Sequence, residues 1–152
     1  MTMFHSMNTT ASALTAQRLR MDVISSNMAN VDSTRGKLVN GEWQPYKRKM
    51  VVLEPKDSHF SNFLNIAMGT GGKQSVGQGM KVSKIIEDQT PFKMVYDPEH
   101  PDANTDGYVA MPNVDPLREM VDLMSATRSY EANVTVFNAS KGMMMKALEI
   151  GK

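Results

Sequence analysis

Two heptad-patterned segments, one at each end of the chain, constrain its fold more than any other feature. From Met7 to Val31 there is neither Gly nor Pro, and Met7, Leu14, Met21 and Met28 recur every seven residues. Thr10, Gln17, Ile24 and Val31 fill the places three residues further on, so a 3-4 alternation runs along one side of an α-helix. Asn30, Asp32, Ser33 and Thr34 bond more readily to their own backbone in caps and turns than in helix interiors, which predicts a stop there. At the other end Asp115 offers an N-cap acceptor and Pro116 suits the first helical position. Met120, Leu123, Thr127, Tyr130, Val134, Phe137, Lys141, Met144 and Leu148 then continue the alternation. Gly142 weakens that helix locally by about 1 kcal/mol relative to Ala, and Gly151 suits its end.

The stretch between the helices is built differently, with all the remaining prolines and eight of the ten glycines. Met80, Val82, Lys84 and Ile86 alternate with Lys81, Ser83, Ile85 and Glu87, the pattern of a strand with one inward face. Tyr46 to Leu53, Phe92 to Tyr96 and Tyr108 to Met111 are expected as further strands, and the glycines near 69–79 as a mobile loop. The expected fold is mainly α with a small β-rich middle. Residues 1–34 and 115–152 supply the two helices of an antiparallel coiled-coil stem, and 35–114 form a β-rich or irregular segment with a flexible loop near 57–79.

Such a stem buries one seam on each helix and leaves further apolar faces wet. Burial on that scale does little more than offset the entropy of ordering two long helices. The terminal helices are therefore expected to gain lasting order only against neighbouring subunits, so that the stem completes on assembly. Fifteen methionines in 152 residues fit that role, because an unbranched, polarizable side chain adapts to differing neighbours. They fit a core filler equally well. On this reading Met7, Leu14, Met21, Ile24, Met28 and Val31 pair with Met120, Leu123, Tyr130, Val134, Phe137, Met144 and Leu148 as the subunit-interface seam.

Chemistry is sparse. Lys and Arg number 17 against 16 Asp and Glu, so no broad positive field exists to hold nucleic acid. The absence of cysteine removes disulfides, thiol nucleophiles and thiolate metal sites together. His5, His59 and His100 lack helical ligand spacing. Asp102-Ala103-Asn104-Thr105-Asp106-Gly107 opens like a calcium loop, but its twelfth place is Asn113 instead of a bidentate Glu, and an acidic Asx turn ending in Gly is the better reading. No phosphate-binding Gly motif and no G-x-S-x-G elbow is present. Lys47-Arg48-Lys49, beside Tyr46 and Trp43, reads as a charged strand face. No catalytic, cofactor or metal site is expected. No segment reaches the ~20 apolar residues of a membrane span, so no direct membrane insertion is expected. The first residues show neither the basic segment nor the apolar block of a secretory leader, which alone points to the cytosol.

The ends carry recognisable wording. Ala13-Leu14-Thr15-Ala16-Gln17-Arg18-Leu19-Arg20-Met21-Asp22-Val23-Ile24-Ser25-Ser26-Asn27-Met28-Ala29-Asn30-Val31 resembles the N-terminal signature of the bacterial flagellar rod and hook proteins. Glu119-Met120-Val121-Asp122 and Arg128-Ser129-Tyr130-Glu131-Ala132-Asn133-Val134 resemble their C-terminal signature. Val95 to Ala103, Gly107 to Val109 and Met111 to Val114, with the short length, resemble the proximal-rod members of that family. The resemblance singles out Ala29, Asn30, Val31, Tyr130, Glu131, Ala132 and Asn133 as signature residues. It implies a structural subunit, without enzymatic activity, that stacks helically into a hollow drive shaft transmitting torque. Its implied partners are copies of itself, rod subunits of the FlgB, FlgF and FlgG type, a rod-to-membrane-ring adapter of the FliE type and the flagellar type III export apparatus. It also implies residence in the basal body after export without a cleaved signal peptide, which replaces the cytosolic reading. Asn30 and Asn133 are expected as buried polar contacts fixing register between subunits. A coiled-coil secretion-system or adaptor protein outside the flagellum is the alternative that heptads alone would allow.

Overall fold

A computed structural model of the chain describes residues 3–56, 67–68 and 79–151. Its elements in order are helix α1 (Met3–Ala29), strands β1 (Lys37–Val39), β2 (Glu42–Gln44), β3 (Lys49–Pro55), β4 (Met80–Glu87), β5 (Lys93–Tyr96) and β6 (Tyr108–Met111), and helix α2 (Pro116–Ile150). Two helices with a small strand-rich middle are thus the architecture. The strands form three two-stranded sheets, β1–β2, β3–β4 and β5–β6. The loop expected near 57–79 lies outside the described residues except for 67, 68 and 79.

Two compact units divide the chain: residues 1–18, 52–83 and 127–152 in the first, 19–51 and 84–126 in the second. In the first unit, α1 meets the start of β4 through Ser12. The Ser12 hydroxyl donates to the Thr9 carbonyl (2.6 Å) and accepts from the Met80 N–H (3.1 Å). A Cβ at Gly79 would collide with the Ser12 hydroxyl and turn it from the Met80 N–H. The Lys56 N–H donates to the Gly79 carbonyl (2.7 Å) and extends the β3–β4 ladder beyond the strand ends.

In the second unit, α1 ends on a double cap. The Asn30 N–H reaches the Asn27 carbonyl (3.2 Å), and the Asn30 side-chain amide donates to the Ser26 carbonyl (2.8 Å). These bonds satisfy carbonyls that a helix end leaves without partners. Next comes the β1–β2 hairpin, turned by Asn40 (φ 53°) and Gly41 (φ 90°), with Leu38 opposite Trp43. The two left-handed residues suit a tight hairpin turn, and Asn-Gly is its usual composition. This hairpin was not among the expected strands. Another correction concerns 46–53: the strand runs from Lys49 to Pro55, because Tyr46 is held to the loop after α1 by its N–H bond to the Ser33 carbonyl (3.1 Å). β5 and β6 pair antiparallel, with Tyr96 opposite Tyr108 and their rings edge to face at 5.3 Å. The start of α2 is capped as Asp115 predicts, its carboxylate accepting from the Leu117 N–H at 3.0 Å.

Burial along α1 follows part of the expected alternation. Thr10, Ala13, Ala16, Gln17, Val23, Ile24 and Asn27 are buried, whereas Met7, Leu14, Met21 and Met28 are half-buried at the margin. Small and polar side chains occupy the centre of the inner face, and methionines flank it.

Gly36 marks another close approach. Its N–H donates to the Gln44 carbonyl (2.8 Å), and a Cβ there would lie 2.7 Å from the Tyr46 backbone. Backbone atoms cannot swing aside as a side chain can. Gly36→Ala should therefore destabilise the protein by about 1–3 kcal/mol, read as a lowered denaturant midpoint. An unchanged midpoint would show that this turn relaxes freely.

Candidate assembly surface

The second unit is organised around a buried polar cluster. Glu119 lies one turn into α2 and is 0% exposed, Asn27 near the end of α1 is 1% exposed, and Arg48 just before β3 is 7% exposed. Arg48 Nε donates to Glu119 Oε1 (2.6 Å), and Asn27 Nδ2 donates to Glu119 Oε2 (3.0 Å), so both carboxylate oxygens are engaged. Asn27 also pairs with the backbone of Lys49: its Nδ2 donates to the carbonyl (2.9 Å), and its Oδ1 accepts the N–H (2.9 Å). The Tyr46 hydroxyl donates to the same Oδ1 at 3.1 Å. One amide thereby joins a helix, a strand and a second helix with its donors and acceptor all used.

Carboxylates on α2 and after β4 widen the cluster. Arg48 lies 3.4 Å from Asp122 and 3.7 Å from Asp88, and Arg20 of α1 reaches Asp122 at 3.4 Å. Asn113 fastens the segment before α2 by accepting the Arg48 N–H (2.8 Å) and donating to the Asp88 and Thr90 carbonyls (3.2 and 3.0 Å). Contacts at Arg20–Asp122 and Asn27–Glu119 make α1 and α2 antiparallel within this unit. Of the basic triplet, Arg48 is thus an interior residue, which corrects its placement on a charged strand face. Lys47 and Lys49 remain at the surface, their ammonium groups 5.7 Å from the Phe92 ring centroid and 5.4 Å from that of Tyr46.

What α2 turns outward is apolar. Leu117, Met120, Val121 and Met124 are spaced i, i+3, i+4 and i+7, share one helix face and are all exposed. Among the described residues eighteen large apolar side chains are exposed while six apolar residues are buried, three of them alanines. A free-standing globule rarely leaves apolar surface arranged in such stripes.

Of the expected seam, Ile24 is buried in the chain's own core, and Met7, Leu14, Met21, Met28 and Val31 are half-buried. Leu123, Tyr130, Val134, Phe137 and Met144 are half-buried too, while Met120 and Leu148 are exposed. Among the signature residues, Ala29, Glu131 and Ala132 are exposed. Asn30 and Asn133 are half-buried and bond within their own helices, Asn133 Nδ2 donating to the Ser129 carbonyl at 2.8 Å. The buried asparagine is Asn27, which lay in the quoted signature without being singled out.

The loop that resembles a calcium site is held by protein groups. Asp102 accepts from Arg35 Nε (2.8 Å), Arg35 Nη2 (2.5 Å) and the Thr34 hydroxyl (2.8 Å). Asn104 Oδ1 accepts the N–H groups of Asp106 (3.0 Å) and Tyr108 (2.8 Å), an Asx turn closed by Gly107 at φ 78°. No group of three candidate metal ligands occurs among the described residues.

A chain whose interior chemistry fastens helices and strand together, and whose apolar residues line an outer helix face, has the construction of a structural subunit. Residues 7–36 match the family model of flagella basal body rod proteins, and residues 105–150 match that of the flagellar basal body rod FlgEFG protein C-terminal region. The flagellar basal-body rod protein FlgC of Bacillus subtilis is 66% identical over 152 residues, covering the whole of both chains. FlgC of Borreliella burgdorferi is 42% identical over 99% of this chain and 98% of its own length, and FlgC of Salmonella typhimurium 45% identical over 93% and 92%. The chain belongs to the FlgC family of flagellar basal-body rod proteins. It is a structural rod subunit of the flagellar basal body, associates with other rod components and serves motility; the non-flagellar adaptor reading is not favoured.

Two measurements probe the cluster and the loop. Glu119→Ala takes the nearest carboxylate from a buried guanidinium, which keeps only its longer contacts to Asp122 and Asp88. It should cost about 3–5 kcal/mol in urea unfolding, whereas Arg48→Met combined with Glu119→Leu should cost less than either change alone. A double variant as unstable as the sum would rule out coupling. Hydrogen bonds from Arg35 and Thr34 hold the Asp102 carboxyl below the usual carboxylate range. A lowered native pKa adds stability that is fully present above about pH 4 and lost as pH falls through the lowered value. Asp102→Asn should therefore flatten the acid side of the melting-temperature profile, and an unchanged acid slope would discount the bond.

Proposed function

We propose that this chain stacks helically into the proximal part of a hollow flagellar rod, with its terminal helices forming the inner coiled-coil tube and residues 35–114 packing outside. The exposed stripe of Leu117, Met120, Val121 and Met124 on α2 is the observation that carries this reading. In it, residues 1–34 and 115–152 act as one stem that completes only among neighbours. The half-buried seam residues Met7, Leu14, Met21, Met28 and Val31 and those from Leu123 to Met144, with exposed Met120 and Leu148, are the surface those neighbours cover.

The partners proposed are further copies of the chain, subunits of the FlgB, FlgF and FlgG type, an adapter of the FliE type, and the export apparatus that delivers the subunit without a cleaved signal peptide. Marginal order in the terminal helices suits passage as an unfolded thread, and burial against several neighbours then meets the ordering entropy. The assembled shaft transmits torque through packed helices, a role requiring no catalytic step.

Val121→Asp combined with Met124→Asp changes only exposed positions. It should leave expression and the circular dichroism of the purified subunit unchanged while abolishing swimming and removing the chain from isolated basal bodies. Normal motility in that variant would overturn the assignment of this face to assembly.

A further inference from the structure

Within the second unit a cleft of about 570 Å³ opens beside the β1–β2 hairpin, and its charged lining is lopsided. Arg35, Lys37, Lys47 and Lys49 face it with Glu87 as the single carboxylate among the lining residues. Even after Asp102 is set against Arg35, the lining keeps an excess of positive charge. Asn30 and Gln44 add amide groups able to meet an oxygen-rich guest. This basic surface takes no part in the buried cluster, apart from the backbone of Lys49 and the hydroxyl of Tyr46.

The same chain carries a complement. From Asp97 to Asp106 the β5–β6 loop contains Asp97, Glu99, Asp102 and Asp106 and no Lys or Arg. Asp97, Glu99 and Asp106 are exposed. The loop is also stiff: the Asp97 N–H donates to the Gly107 carbonyl (3.0 Å), the Asn104 N–H to the Tyr108 carbonyl (2.9 Å) and the Ala103 N–H to the His100 carbonyl (3.0 Å). Pro98 and Pro101 restrict it further. Little ordering entropy remains to be lost when such a loop docks.

We infer that the acidic β5–β6 loop of one copy seats in the basic cleft of the next. A contact between two different patches on identical chains is head-to-tail, and repetition of it yields a ring or an open helix instead of a closed pair. Opposite charges accelerate encounter and reject wrong registers. The inference rests on the rod-subunit reading and adds to it a specific lateral contact.

The absence of cysteine makes the test clean. In a strain whose only copy carries Lys37→Cys and Glu99→Cys, mild oxidation of isolated basal bodies should yield dimers and a ladder of larger multimers of this chain, and neither single variant should. Monomer alone, an internally crosslinked monomer, or adducts only with a chain of different mass would overturn the contact. Should the cysteines block assembly, charge exchange decides. Lys37→Glu with Lys47→Glu, or Asp97→Lys with Glu99→Lys, should each lose swimming, and all four together should regain it. Normal swimming of either pair, or no recovery in the combination, would also overturn it. If wild-type basal bodies lack the chain, the rod reading fails; if they contain it and no crosslink forms, only this contact fails.

Discussion

The Glu119 carboxylate is held out of water by two partners that between them occupy both of its oxygens. One is the Arg48 guanidinium at 2.6 Å and the other the Asn27 amide at 3.0 Å. Removing a charge from solvent is costly, and the cost is offset only where the charge is paired and hydrogen-bonded. The arrangement is therefore intolerant of small displacements. If α1 slips by a residue, Asn27 loses the Lys49 backbone; if β3 shifts, Arg48 leaves Glu119. Apolar side chains alone could pack in several registers, whereas this set fits one.

That interior polarity is matched by exterior apolarity. Because Glu119 and Ala126 face inward in the second unit, the opposite face of α2 must hold Leu117, Met120, Val121 and Met124. The helix is amphipathic in the reverse of the usual sense over its first turns. A subunit that must be both specific within itself and adhesive toward others gains from the exchange. The polar cluster fixes its own register, and the outward apolar stripe is left for whatever covers it.

Much of this was legible in the residues. The Gly- and Pro-free N-terminal run and the Asp115-Pro116 cap mark both helices, and the β4 strand is readable from period two. The β1–β2 hairpin is marked only by Asn40-Gly41, a turn signal between Val39 and Glu42; each strand is three residues long, too short for alternation to register. Heptad counting marks Met7, Leu14, Met21 and Met28 together with Thr10, Gln17, Ile24 and Val31. The structure buries Thr10, Gln17 and Ile24 of that alternation and leaves Met7, Met21 and Met28 half-buried, a difference that the alternation alone does not show. Asn27, Arg48 and Glu119 were not legible as a group, because each type is ordinarily a surface residue and only the fold brings them together.

The separation of those residues along the chain has a further consequence. Residues 27, 48, 88, 119 and 122 contribute to a single knot, so its contacts are of high sequence separation. Closure of such contacts is slow relative to local helix formation. Neither half of the chain can tie the knot alone, because residues 27 and 48 need residues 88, 119 and 122. Closure of the polar interior then waits on the whole span from 27 to 122: a truncated subunit exposes lone charges in its place.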